Sequence, residues 1–282
     1  MDRLKLIILW GLFIWPVMAG NYNFTILPSG SYFETIILDP SASQVNASLL
    51  AYQFKGRIDR KMHTSINLGI TRMLLRWELE KNRGFELGFE YGIHSQFSVE
   101  DAGANFLGGL QNSDYRITGV AHYKNKVHTY RMTLFHQSSH LGDDYIIRND
   151  ITRPTSNVLN YEQLDFLLST TKNNFRYYYG LGFNISPNTI RKRLSLQLGY
   201  FFNKGLKINK NMGYFYGIDV KTFEQNDFRP GLKIGLGFEI GRNNHNPLRI
   251  LMEYYKGHLP YSTLEYKQLQ SFGIGLYLNS IL

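Results

Sequence analysis

The residues that could do chemistry gather in one run: Tyr130-Arg131-Met132-Thr133-Leu134-Phe135-His136-Gln137-Ser138-Ser139-His140-Leu141-Gly142-Asp143-Asp144. His136 stands two residues before Ser138, the spacing that puts both side chains on one face of an extended strand. A serine hydroxyl is a weak nucleophile until a base takes its proton, and an adjacent imidazole is such a base. Ser139 falls on the opposite face, and Ser139 and His140 are the neighbouring groups expected to touch a substrate. Further on, Leu164, Phe166 and Leu168 form an apolar phase that continues through Glu162 and Asn160. If the two segments pair so that Leu134 meets Leu164, His136 lies opposite Glu162 and Ser138 opposite Asn160, within cross-strand reach. Either side chain then orients the imidazole, and a shift of the register by two exchanges them. Asp143 and Asp144, followed by Asn149 and Asp150, are hard oxygen ligands suited to Ca²⁺, which there would polarise an ester carbonyl or bridge lipid phosphates. A zinc ion shared by His136 and His140 is disfavoured, because residues four apart on a strand are separated by about 13 Å.

The elements that must position these groups are strands. Alternation of apolar with polar or small residues recurs over segments of eight to thirteen residues, with turn-forming residues between them, and about twelve such segments are present. They span 44–54, 65–78, 85–98, 115–123, 128–139, 159–170, 175–185, 194–202, 213–223, 231–240, 248–256 and 268–278. In the tenth, Leu232, Ile234, Leu236 and Phe238 oppose Lys233, Gly235, Gly237 and Glu239. Connections alternate between short (80–84, 124–127, 171–174) and long (55–64, 99–114, 140–158). Segment length, even strand count and loop parity together predict an all-β, transmembrane antiparallel β-barrel of about twelve strands. A soluble sandwich or lipocalin-like barrel is the rival architecture, since it alternates too. Glycine-containing pieces such as Gly180-Leu181-Gly182 lie within strands with no helix following, so they lack the context of a nucleotide-binding loop.

The first residues read as an export signal: Arg3 and Lys5, an apolar run from Leu6 to Val17, and Val17-Met18-Ala19 at the cleavage position. The expected organisation is a signal peptide over 1–19, an N-terminal periplasmic segment over 20–43 and the barrel over 44–282. Across 282 residues, 43% are hydrophobic and 15% aromatic, there is no cysteine, and the net charge is +9. Disulfides, thiolate metal sites and cysteine nucleophiles are thereby excluded. The basic residues are scattered rather than gathered on one helix, which leaves nucleic acid without its usual footprint and favours anionic lipid headgroups or lipopolysaccharide as partners.

Phe85-Glu86-Leu87-Gly88-Phe89-Glu90, Asn112-Ser113-Asp114-Tyr115-Arg116, Arg176-Tyr177-Tyr178-Tyr179-Gly180 and above all His136-Gln137-Ser138-Ser139-His140-Leu141-Gly142-Asp143 resemble a family of bacterial envelope proteins of unknown function, as does Ile37-Leu38-Asp39-Pro40. More loosely, His136-Gln137-Ser138 is similar to the His-Gln-Ser of outer-membrane phospholipase A and to the His-x-Ser of PagL-type lipid A deacylases. That resemblance implies an outer-membrane serine esterase acting on phospholipid or lipid A, with His136 as base, Ser138 as nucleophile, Asn160 or Glu162 as the orienting group, outer-membrane lipid as partner and a homodimer in the membrane. Ser139 stands where the phospholipase continues with Asn-Gly, which leaves the oxyanion hole unassigned. The alternative is a barrel without enzymatic activity, a diffusion pore or a structural protein.

Overall fold

The computed structural model describes residues 22–80, 82–101, 106–152, 159–188, 190–242 and 246–280. The expected signal peptide, 1–19, lies outside the described residues. Twelve antiparallel strands close a barrel: β2 (Val45–Phe54), β3 (Arg57–Glu80), β4 (Arg83–Asp101), β5 (Phe106–Asn125), β6 (His128–Leu141), β7 (Leu159–Lys172), β8 (Phe175–Asn184), β9 (Leu194–Gly205), β10 (Met212–Phe223), β11 (Gly231–Ile240), β12 (Leu248–His258) and β13 (Gln268–Leu278). Each pairs with its sequence neighbour, and β13 returns to pair with β2 through Ile274↔Leu49. A short strand β1 (Asn23–Ile26) continues the edge of β3 alongside Leu75–Glu78. Pairing of β13 with β2 removes the free edges that the first and last strands of an open sheet would expose to hydrocarbon.

Alternation sorts the two faces. On β11, Leu236 and Phe238 are 55% and 57% exposed, while Lys233 and Glu239 are 7% and 2% exposed. The apolar phase therefore points outward and the polar phase into the lumen, the inverse of a soluble barrel. Inside, Lys233 Nζ meets Glu253 at 2.6 Å and Arg249 Nε donates to Glu239 at 2.8 Å. Charges out of water persist only when paired in this way.

Two expectations about the chain path are corrected. The long connections anticipated over 55–64 and 99–114 are mostly strand. Lys55 and Gly56, both at positive φ (47° and 81°), turn the chain in two residues, the backbone geometry that matches the twist of a hairpin. β3, β4 and β5 consequently stand taller than the other strands. The segment expected to lie in the periplasm, 20–43, instead enters the lumen beyond β1. Leu38 is buried against Phe215, Leu251 and Tyr277, and Asp39 receives Gln197 Nε2 at 3.1 Å and Lys221 Nζ at 3.3 Å. Ser31 and the Tyr32 N–H donate to the buried Glu86 carboxylate at 2.9 and 2.7 Å. From the opposite end the β12–β13 connection folds inward, placing Leu259, Tyr261 and Leu264 against Leu50, Tyr52 and Leu269. Side chains thus occupy the barrel from both ends.

Candidate functional site

β6 and β7 pair with Leu134↔Leu164, His136↔Glu162 and Ser138↔Asn160, the register that the apolar phases predicted. Period 2 turns His136, Ser138 and His140 outward together, above Leu134 and Met132 on the same stripe. Both strands end here at the barrel rim that carries the longer connections, and residues 142–158 join them.

Glu162 Oε1 lies 2.8 Å from His136 Nδ1, with both side chains nearly half exposed. A carboxylate only accepts, so this contact places the imidazole proton on Nδ1 and leaves the Nε2 lone pair free. Of the two candidates for an orienting residue, the one in contact with His136 is Glu162, while Asn160 stands exposed opposite Ser138. The expected contact between Ser138 and His136 is replaced by another: Ser138 Oγ is 2.7 Å from His140 Nε2. Residues two apart on either side of Ser138 are sterically equivalent partners, so sequence alone does not choose between them. Tyr115, directly opposite Ser138 on β5, meets the His140 ring edge-on at 6.0 Å between centroids. Tyr115 escaped the sequence reading because only the β5–β6 register brings it to the site.

Ser139 is corrected as a substrate contact. It points into the lumen and is fully buried; its hydroxyl donates to Asp114 Oδ1, and the Thr263 N–H donates to it at 3.0 Å. The calcium expectation at Asp143 and Asp144 also meets a different geometry. These residues open the short helix α1 (Asp143–Arg148), where acidic side chains suit the exposed N–H groups. Asp144 Oδ2 accepts the Leu110 N–H at 2.9 Å, and Arg148 donates to Gly108 O at 2.8 Å, so the helix is strapped to β5. Among the described residues, no three histidine or carboxylate side chains gather as a metal site. Asn149 closes α1, its amide donating to Tyr145 O at 2.8 Å.

Residues 19–279 match a family described as "Protein of unknown function (DUF1207)". The chain belongs to the DUF1207 family. No curated protein matches it. Among solved structures, the DUF1207 barrel is similar to outer membrane phospholipase A from Escherichia coli, at 11% identity and TM-score 0.54, over 85% of this chain and 91% of that one. The Salmonella typhi outer membrane phospholipase dimer with bound calcium is similar at 12% identity and TM-score 0.53, over 85% and 92%. An active-site mutant of the Escherichia coli enzyme aligns at 12% identity and TM-score 0.54, over 94% and 96%. At such identity the likeness is one of architecture: the DUF1207 chain shares the barrel of bacterial outer-membrane proteins.

Proposed function

We propose that this protein is an outer-membrane serine acyl hydrolase whose substrate is the surrounding lipid, phospholipid or the lipid A part of lipopolysaccharide. The observation that carries the reading is the His136–Glu162 pair held at 2.8 Å on the same outward stripe as Ser138. A polar triplet on a face otherwise given to hydrocarbon raises the free energy of insertion unless it sits at headgroup level, and an acyl ester lies at that level. The outer-membrane phospholipases with the same architecture are lipases by their names, and the activity is carried to this chain as part of the proposal.

Ser138 is the nucleophile and His136 the base. Among the described residues, His136 is the one of the two imidazoles with a carboxylate hydrogen-bonded to it, and Glu162 stabilises the imidazolium that forms when Nε2 takes the hydroxyl proton. His140 holds the hydroxyl in the resting arrangement, and rotation of Ser138 about χ1 exchanges one imidazole for the other. Oγ then adds to the ester carbonyl. The C–O bond to the glycerol or glucosamine oxygen breaks as His136 returns the proton to that oxygen, and the same base activates the water that releases the fatty acid. A diffusion pore fits less well, because the N-terminal segment and the β12–β13 connection occupy the lumen.

The test is labelling by a serine-directed phosphonate in reconstituted vesicles, alongside release of fatty acid. Both are expected in the wild-type chain and absent in a folded Ser138→Ala variant. Wild-type labelling in Ser138→Ala sinks the assignment.

A further inference from the structure

Charge is unevenly spread along this chain: no Asp or Glu stands between Asp165 and Asp219, while eight Lys and Arg do. Two of the eight, Arg176 and Arg191, are buried inside the barrel. Four of the others, Lys172, Lys204, Lys207 and Lys210, are exposed at the rim opposite Ser138. Lys172 ends β7, Lys204 is on β9, and Lys207 and Lys210 lie in the turn to β10 beside the fully exposed Ile208. The acids that bound the stretch face the lumen, where Asp219 accepts Tyr178 Oη at 2.7 Å and Asp165 accepts Gln163 Nε2 at 2.6 Å. The lysines of this rim are therefore left without a carboxylate from the same stretch of chain.

Next to these lysines the outward stripes of β8, β9 and β10 carry a cluster of rings. The register aligns Phe175 with Phe202 and Tyr216, and Tyr177 with Tyr200. Ring centroids are 4.9 Å apart for Phe175 and Phe202, 4.9 Å for Phe202 and Tyr216, and 5.3 Å for Tyr177 and Tyr200. Tyr177 and Tyr216 are 51% and 40% exposed, so the cluster is open where these two stand. Aromatic rings in such a band mark the boundary between hydrocarbon and headgroups. Lys204 is the next outward residue after Phe202, about 7 Å further along the strand. With strands tilted by about 40°, that step is about 5 Å toward water, the level of lipid phosphate. Ammonium groups there attract an anionic headgroup and gain little from a zwitterionic one. We propose that the β8–β10 rim binds an acidic phospholipid of the phosphatidylglycerol class, its phosphate at Lys204, Lys207 and Lys210 and its glycerol and first methylenes on Tyr177, Tyr200 and Tyr216. Ile208 enters the same boundary from the turn. This lipid lies in the leaflet opposite the one that Ser138 faces, and its binding requires placement in the membrane but no hydrolysis.

The test titrates the full chain in neutral detergent with diether phosphatidylglycerol and diether phosphatidylethanolamine, and counts bound lipid by native mass spectrometry. Neither lipid has an ester for Ser138 to attack. Phosphatidylglycerol is expected to bind about tenfold or more tighter, the combined attraction of three lysines near the surface. The triple variant Lys204→Gln/Lys207→Gln/Lys210→Gln should bind both lipids alike. Lys55→Gln/Arg57→Gln/Arg60→Gln removes the same charge from the β2–β3 turn at the other rim and should keep the wild-type preference. If the triple variant loses the heat-modifiable electrophoretic migration of a folded barrel, Lys207→Gln/Lys210→Gln, confined to the turn, takes its place, with an expected fall of about threefold or more in the preference. A wild-type chain without preference, a folded lysine variant that keeps it, or an equal loss in the β2–β3 variant overturns the site. Each of these outcomes leaves the hydrolase reading untouched, since none depends on Ser138.

Discussion

Ser138 and Ser139 are adjacent on one strand and live on opposite sides of the wall. Ser139 is fully buried among Asp114, Thr263 and the Gln137 network, in which Gln137 Nε2 donates to Asp114 Oδ2 at 2.8 Å and Arg116 Nε donates to Gln137 Oε1 at 2.9 Å. Ser138 faces outward with the His140 imidazole in contact, and His136, two residues back on the same stripe, is held by Glu162. Around Ser139 the inner stripe pairs the serine hydroxyl, the Gln137 amide and the Arg116 guanidinium, which fixes conformation. The outer stripe leaves a hydroxyl and a basic nitrogen accessible, which is what reaction requires. On the hydrolase proposal, two serines of identical chemistry are given structure and reactivity by the two-residue period of the strand.

The contrast is broken most severely at Ser138. Ser138→Ala is expected to abolish phosphonate labelling with no loss of fold, whereas Ser139→Ala keeps labelling near the wild-type rate and lowers stability by about 1–2 kcal/mol, read from the urea midpoint in vesicles. Full labelling of Ser138→Ala, or its loss in folded Ser139→Ala, would reverse the roles of the two stripes. His136→Ala comes next, with an expected fall of about 10²–10⁴ in the labelling rate, the range for loss of a general base. His140→Ala should cost no more than about tenfold, and a reversal of those two magnitudes would move the base to His140. Glu162→Gln keeps the shape and removes the charge that supports imidazolium. On a pair nearly half exposed to solvent, a fall of about ten- to a hundredfold in the labelling rate is expected.

Much of this contrast was legible in the sequence. Strand alternation gave the barrel, and matching of the apolar phases of 128–139 and 159–170 gave the β6–β7 register together with the His136–Glu162 and Ser138–Asn160 oppositions. Period 2 carries that information because one face meets hydrocarbon and a slip by one residue would invert every side chain. What escaped was set by contacts without a period. His140 is as close in sequence to Ser138 as His136 is, and Tyr115 arrives only through the β5 pairing. Residues 28–43 carry no strand pattern, so their passage into the lumen rests on tertiary partners such as Glu86 and Lys221. Lys55-Gly56 read as the start of a loop because the polar run Arg57-Ile58-Asp59-Arg60-Lys61 hides strand that stands above the apolar band.

The smallest effect concerns the lumen side alone. Asp39, on the N-terminal segment, is buried, which by itself raises its carboxyl; the Lys221 ammonium, the Ser41 N–H and Arg116 outweigh burial and hold it well below the ordinary carboxylate range. A carboxyl whose folded value is depressed stabilises the fold fully above its unfolded value, about 3.9, and that contribution disappears as pH falls through the folded value. Between pH 5 and 8 the segment should therefore stay docked with no pH dependence from this group. Below about pH 4 it should loosen, read as growing protease access to residues 28–43 in intact vesicles. Asp39→Asn should flatten that acid limb while leaving labelling of Ser138 unchanged, because the segment supports the wall from inside and touches none of the outward groups. If labelling fell in step with segment release, the two faces would be coupled, and the independence of the inner and outer stripes would fail.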